Sequence, residues 1–268
     1  MKARRVRRWS VGTVIAVAIV LLGTALSGNA ADPDALWKIV HQQCVPDQQQ
    51  KGDPAPCALV ELQPGDAKGY AVLKDIVGAT QYLLIPTARV PGIESALLLA
   101  SGAPNYFADA WRERGYTERA AQRALPREAI SLAINSAFGR SQNELHIHID
   151  CVRTDVRAVL QRQLAAIGDT WAPLAEPLAG HPYLAMRVLA DALDGTNPFV
   201  LLADGVPGAR TAMGEQTLVV VGAEFADGHP GFIILTDHLN PATGDKAGGE
   251  ELQDHDCALA HGQTGGAG

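Results

Sequence analysis

Between Glu144 and Cys151 the chain alternates strictly, with Leu145, Ile147, Ile149 and Cys151 interleaved by Glu144, His146, His148 and Asp150. Successive side chains of an extended strand point to opposite faces, so this stretch predicts a strand with one apolar face and one row of titratable groups. The apolar face requires a covered sheet. The polar row requires hydrogen bonds or a chemical use, because burying ionisable groups without partners costs several kcal/mol. A single histidine in a sheet is ordinarily structural. Two imidazoles and a carboxylate in register on an otherwise aliphatic strand mark His146, His148 and Asp150 as candidate functional residues.

Two chemistries use such a row. Imidazole and carboxylate hold metals, and the His-x-His-x-Asp spacing is similar to the zinc-binding start of metallo-β-lactamase-like hydrolases, except that Cys151 stands where those proteins continue with histidine. In the other chemistry one imidazole attacks phosphorus while its neighbours fix its tautomer and accept charge, with no metal or other cofactor required. A third reading leaves the chain a non-enzymatic lipid- or nucleotide-binding protein of the envelope.

The N-terminus addresses the protein. Residues 1–30 carry Lys2, Arg4, Arg5, Arg7 and Arg8 and no acid, and an uncharged run from Trp9 to Gly28 comes next. Its apolar centre, Val11 to Leu26, is longer than the roughly 7–15 residues of a signal-peptide core and shorter than the about 20 that span a bilayer. A cleaved signal and a retained anchor are both compatible with it. The basic flank places the N-terminus in the cytoplasm and exports the rest of the chain. Beyond residue 30 the chain holds 17 basic against 29 acidic side chains. That balance excludes a nucleic-acid polymer as partner, since phosphate-backbone affinity comes from clustered Lys and Arg.

Four cysteines agree with export to an oxidising compartment. Cys44 and Cys57 bracket a loop rich in Pro, Asp, Gln and Gly and form the obvious local pair, leaving Cys151 and Cys257 to tie the middle of the chain to its tail. Three connectivities are nevertheless open to four cysteines, and a zinc site is a rival use, weakened by the absence of any Cys-x-x-Cys.

Along the chain, Asp32-Pro33 predicts a helix start that runs to near Cys44. Strands are predicted over Cys57–Leu62, Tyr70–Lys74 and Gln81–Pro86. Helices are predicted over Glu94–Ser101, over Asn105–Arg114 closed by Gly115, and from a Thr117 cap, interrupted by Pro126 and resuming to Asn135. After the Glu144–Cys151 strand, a Thr154-capped helix presents Val156, Val159, Leu160, Leu164 and Ile167 on one face. Further strands are predicted at Tyr183–Leu189, Phe199–Ala203, Thr217–Glu224 and Gly231–Thr236. No linker divides the chain, so residues 31–260 are read as one α+β catalytic domain, an antiparallel sheet with helices packed on it, behind the signal or anchor of residues 1–30. The glycine-rich ending over 261–268 predicts a frayed, disordered tail.

From Asn135 the chain reads Asn-Ser-Ala-Phe-Gly-Arg-Ser-Gln-Asn-Glu-Leu-His-Ile-His, which resembles the histidine triad superfamily of nucleotide hydrolases and transferases. Tyr82-Leu83-Leu84-Ile85-Pro86-Thr87 looks like that superfamily's strand ending in Ile-Pro. The resemblance is closer still to one bacterial inner-membrane family, the CDP-diacylglycerol pyrophosphatases. It is carried by Pro-Cys-Ala at 56–58, Val-Leu-Lys-Asp at 72–75, Gln-Tyr-Leu-Leu-Ile-Pro-Thr at 81–87, Ser-Gln-Asn-Glu-Leu-His-Ile-His at 141–148 and Asp-His-Asp-Cys at 254–257. The resemblance implies hydrolysis of CDP-diacylglycerol to CMP and phosphatidate, through a nucleotidyl-histidine intermediate and without a metal. It makes His148 the nucleophile and His146 its ordering neighbour. Asn135, Ser141, Gln142 and Asn143 would contact phosphate, although Asn135 reads equally as a helix-ending cap. Asp150 departs from the superfamily, whose hydrolases carry a third histidine there. Lys74, Arg89, Arg140 and Arg153 are the nearest cations for phosphate charge, and His238 and His255 are further candidates to protonate a leaving group. A diacyl substrate implies a membrane partner, and favours a single-pass inner-membrane protein with a periplasmic domain.

Overall fold

The computed structural model describes residues 32–62 and 68–261. The expected signal or anchor over 1–30 lies outside the described residues, as does the tail from 262. Among the described residues no helix is long and apolar enough to cross a membrane.

Helix formation begins where Asp32 and Pro33 place it. Asp32 Oδ1 accepts from the Asp34 N–H at 3.0 Å, and α1 (Ala35–Ile39) continues through a π-helical turn (Val40–Cys44) into α2 (Val45–Lys51). Gly52, at φ 68°, ends it in the left-handed conformation that glycine adopts without strain. The helical run therefore extends past Cys44. Cys44 is disulfide-bonded to Cys57, which staples the helix to the neighbouring strand.

Among the described residues ten strands make one antiparallel sheet: β1 (Leu59–Glu61), β2 (Tyr70–Lys74), β3 (Tyr82–Pro86), β4 (Ile130–Ile134), β5 (Ile147–Val152), β6 (Ala172–Pro173), β7 (Leu184–Val188), β8 (Leu218–Glu224), β9 (Pro230–Thr236) and β10 (Gln253–Asp254). The order is β1-β2-β3-β5-β4-β8-β9-β7-β6, and β10 also pairs with β5. Around the sheet lie α3 (Tyr106–Arg112), α4 (Gly115–Ala120), α5 (Thr154–Gln163), α6 (Pro198–Gly205) and α7 (Ala258–His261).

Several sequence expectations are corrected. The stretch expected to resume as helix up to Asn135 is β4: Ile-Ser-Leu-Ala-Ile is buried on both faces, and a strand covered on both sides shows no alternation to distinguish it from buried helix. Phe199–Ala203, expected as a strand, lies in α6, whose start is set by Pro198 and by the Asn197 side chain accepting from Phe199 N–H at 3.0 Å. Over Glu94–Ser101 only a 3-10 turn forms, at Ala96–Leu99. Gly115, expected as a terminator, instead opens α4, and Thr117 sits inside that helix donating to the Ile149 carbonyl.

The two faces of the sheet differ. One is a continuous apolar layer running from Val72 and Leu84 through Ile147, Ile149, Leu132 and Val220 to Phe232 and Ile234, roofed by Phe107, Trp111 and Phe199. On the other face Ala71, Leu73, Leu83 and Ile85 pack under Val40 and Cys44 at one end. Ala133, Val219, Val221, Ile233 and Leu235 pack under Val156 and Leu160 at the other. Between these two clusters the register sets His148 opposite Leu83 on one side and Ala133 on the other. The alternation read from the sequence thus drops the polar row into the gap between two small cores.

Candidate active site

His146, His148 and Asp150 are 8%, 4% and 0% exposed, so each depends on protein partners. His146 donates from Nδ1 to the Glu144 carbonyl at 2.6 Å, which leaves its Nε2 as the lone-pair nitrogen. Its ring meets His148 edge-on with centroids 4.9 Å apart. His148 Nδ1 lies 2.5 Å from the Gln81 amide nitrogen, which also donates to Glu250 Oε1 at 3.1 Å. His148 Nε2 and Gln81 Oε1 are buried without any partner. A buried imidazole nitrogen left unsatisfied calls for an explanation, and a chemical use is one.

Asp150 accepts from Thr80 Oγ1 at 2.7 Å, from Cys151 N–H at 2.8 Å and from His255 Nδ1 at 2.8 Å. His255 Nε2 in turn lies 3.5 Å from Glu250 Oε1. Glu250 is locked to Asn135 by two hydrogen bonds, Asn135 Nδ2 to Oε2 at 3.0 Å and Glu250 N–H to Asn135 Oδ1 at 3.1 Å. Two close approaches hold these partners. A side chain at Gly249 would meet Thr217 Oγ1 at 2.5 Å and Val219 at 2.7 Å, and one at Gly78 would meet His255 Cβ at 2.3 Å. The Cys151–Cys257 disulfide ties the segment carrying His255 to β5.

The electrostatics divide the histidines by role. Burial, reinforced by His146, pushes His148 down to about 3, so the ring is neutral. Burial also lowers His146. The hydrogen bond to Asp150 raises His255 above the usual imidazole range and favours its protonated form. Asp150 is pushed up by burial against the hydrogen bonds of His255 and Thr80. Burial acts to raise Glu250 too, but the Gln81 and Asn135 amides and the His255 imidazolium facing it bring it below the usual carboxylate range.

A cleft of about 310 Å³ opens onto His146, His148 and Glu250, and His255 lines a second cleft of about 490 Å³ that shares Asn135, Gly139 and Glu250 with it. Lys74, Asn135, Ser141, Gln142, His146, His148 and Glu250 form the polar side of the first cleft, and Leu36, Ile39, Leu73, Ile76, Val77 and Leu83 its apolar side. Gln142 spends its amide on the helix start, accepting from Leu36 N–H at 3.1 Å and donating to the Asp32 carbonyl at 3.0 Å. Asn143 is exposed and does not line the cleft. Lys74 lines it, with Nζ held by the Asp75 and Gly78 carbonyls at 2.8 and 3.0 Å. The arginines do not: Arg89 pairs with Asp34 and approaches Glu144, Arg140 pairs with Glu94, and Arg153 pairs with Asp155. His238 pairs with Glu215 at 3.0 Å and lines a separate cleft of about 610 Å³. Gln81, Glu250 and Thr80 escaped the sequence reading as site residues; the only sequence pointer to the C-terminal contribution was Asp-His-Asp-Cys at 254–257.

The metal alternative needs three ligating atoms within reach of a single ion, and the row of His146, His148 and Asp150 does not bring them together. Among the described residues the one group of three ligating side chains within reach of a single ion is elsewhere: His181, Asp237 and Asp245, with atoms within 4.8 Å of one another.

The family model described as CDP-diacylglycerol pyrophosphatase matches residues 31–261. A curated protein of Yersinia pestis, described as a CDP-diacylglycerol pyrophosphatase, is 42% identical over 247 residues, covering 92% of this chain and 93% of that protein.

Proposed function

The chain belongs to the CDP-diacylglycerol pyrophosphatase family, and from that premise we propose that it cleaves the pyrophosphate of CDP-diacylglycerol with His148 as the nucleophile. The observation that carries this is the buried, unpartnered Nε2 of His148 at the wall of the cleft. Nε2 bonds to the cytidine-side phosphorus as the bond from that phosphorus to the phosphatidate oxygen breaks. Phosphatidate leaves with the electron pair and takes a proton from His255. Water then attacks the same phosphorus, returns a proton to His255 and breaks the P–N bond, releasing CMP and free imidazole.

Gln81 governs the reactive tautomer. With its amide nitrogen on Nδ1, the neutral ring carries its proton on Nε2; with the amide turned over, Oε1 accepts from Nδ1–H and the Nε2 lone pair is free. Asn135, Ser141 and Lys74 stand where transferred phosphate charge would lie, and polar groups fixed in a desolvated cleft stabilise it without a metal. In the histidine triad likeness His148 holds the nucleophile's place, Asp150 stands where the hydrolases carry a third histidine, and the hydrogen bond from His255 to Asp150 supports giving the proton transfer to His255. An anchor in residues 1–30 would keep the domain on the periplasmic face of the inner membrane beside its substrate.

Hydrolysis in water enriched in heavy oxygen tests the assignment of the attacked phosphorus. Label in CMP is expected, and label found only in phosphatidate would overturn it.

A further inference from the structure

The described residues expose six large hydrophobic side chains, and three of them, Ile76, Val77 and Phe138, sit on the two loops that border the His148 cleft. Ile76 is 100% and Val77 51% exposed, consecutive in the turn between β2 and β3 where polar residues are the norm, and Phe138, 54% exposed, adjoins Gly139 on the facing loop. The turn is fixed. Asp75 Oδ1 accepts from Val77 N–H at 2.9 Å, Lys74 Nζ clamps two carbonyls, and Ala79 N–H donates to the His255 carbonyl at 2.8 Å. Two apolar side chains are therefore held out toward solvent by a rigid support, an arrangement that marks an interaction surface.

The apolar side of the cleft is continuous with that turn, passing from Ile76 and Val77 through Leu73 and Leu83 to the helix residues Leu36 and Ile39. Only residues 29–34 separate that helix from the uncharged run Trp9–Gly28. We propose that the Ile76–Val77 turn, with Phe138 opposite, seats in the interfacial layer of a lipid bilayer, so that the acyl chains of the substrate remain in the membrane while its pyrophosphate reaches His148. This rests on the substrate being a diacyl lipid. Beyond residue 30 the chain is acidic, so attraction to anionic headgroups does not supply the contact and apolar insertion does.

The test uses the full chain reconstituted into phosphatidylethanolamine–phosphatidylglycerol vesicles. Among the described residues no cysteine is free, so Ile76→Cys accepts an environment-sensitive dye, and Leu189→Cys, 57% exposed beyond β7 at the far side of the sheet, is the control. The expected result is blue-shifted emission quenched by lipid brominated near the headgroup for the dye at 76, and neither effect at 189. A dye at 76 as water-exposed as that at 189 would overturn the proposal. This readout does not involve turnover, so a protein that inserts but hydrolyses no CDP-diacylglycerol would refute the substrate reading alone. A second arm compares CDP-diacylglycerol in vesicles with water-soluble CDP-glycerol. Ile76→Asp with Val77→Asp should lower the ratio of vesicle to soluble activity at least tenfold, while Leu189→Asp leaves it unchanged. An equal loss on both substrates would assign the apolar side to the nucleotide and contradict the membrane contact.

Discussion

The two faces of the sheet are made by the same strands yet serve opposite ends. The face carrying Leu132, Ile147, Ile149, Val220 and Ile234 is one uninterrupted apolar layer. The face carrying His146, His148 and Asp150 is interrupted where β5 crosses between two small clusters. What makes the interruption tolerable is that most buried polar groups there meet partners, several of them brought from far along the chain, leaving His148 Nε2, Gln81 Oε1, Gln253 Oε1 and Glu144 Oε2 without a hydrogen-bond partner. Stability is thereby concentrated on one face and chemistry on the other, and the single unsatisfied imidazole nitrogen lies at their junction.

The contrast is broken most severely at His148. His148→Ala should lower turnover by roughly 10⁴-fold or more, as loss of a nucleophile does, while the midpoint of urea unfolding moves little because an unsatisfied buried nitrogen is removed. On the apolar face the result should invert: Ile234→Ala, at a fully buried position, should cost about 2–5 kcal/mol in denaturant unfolding and leave kcat per folded molecule unchanged. A large loss of kcat there would show that the faces are not separable.

Asp150→Asn sharpens the polar side. Asp150 raises His255, and His255 acts as an acid only while protonated, so activity is lost as pH rises through its raised pKa. Removing the carboxylate lowers that pKa, and the alkaline limb of the kcat profile should move to lower pH with kcat falling by roughly 10²-fold. An unmoved limb would remove His255 from the proton transfer. The smallest effect belongs to the loop between the faces. Gln142→Ala loses two hydrogen bonds to the α1 start and should cost about 1–2 kcal/mol, whereas Asn143→Ala should change neither stability nor rate, measured by the same unfolding and turnover assays.

Much of this was legible in short-range pattern. The period-2 alternation placed His148 and Asp150 on one face of β5, although the strand expected from Glu144 starts only at Ile147 and His146 precedes it; β2, β3, β8 and β9 fell where β-branched runs predicted them, and both disulfides join the cysteines that spacing suggested. β4 was misread because a strand buried on both faces loses its alternation, and α6 because five apolar residues outweighed the Asn197-Pro198 start signal. Glu250 and Gln81 meet His148 from 102 and 67 residues away, and no local periodicity encodes such a meeting. Only the closing of the sheet and the Cys151–Cys257 link bring the C-terminal segment over β5. The partners that hold Gln142 and the arginines, Leu36, Asp34, Glu94 and Asp155, are likewise tertiary or charge-pair contacts that spacing does not reveal.

Cleavage through a bond between His148 Nε2 and the cytidine-side phosphorus leaves a stereochemical record at that atom, readable with a CDP-diacylglycerol made chiral there with sulfur and hydrolysed in isotopically labelled water. Two successive in-line displacements, by imidazole and then by water, predict net retention of configuration in the thio-CMP product. Net inversion would mean that water attacks the pyrophosphate in a single step, and would contradict the assignment of His148 as nucleophile.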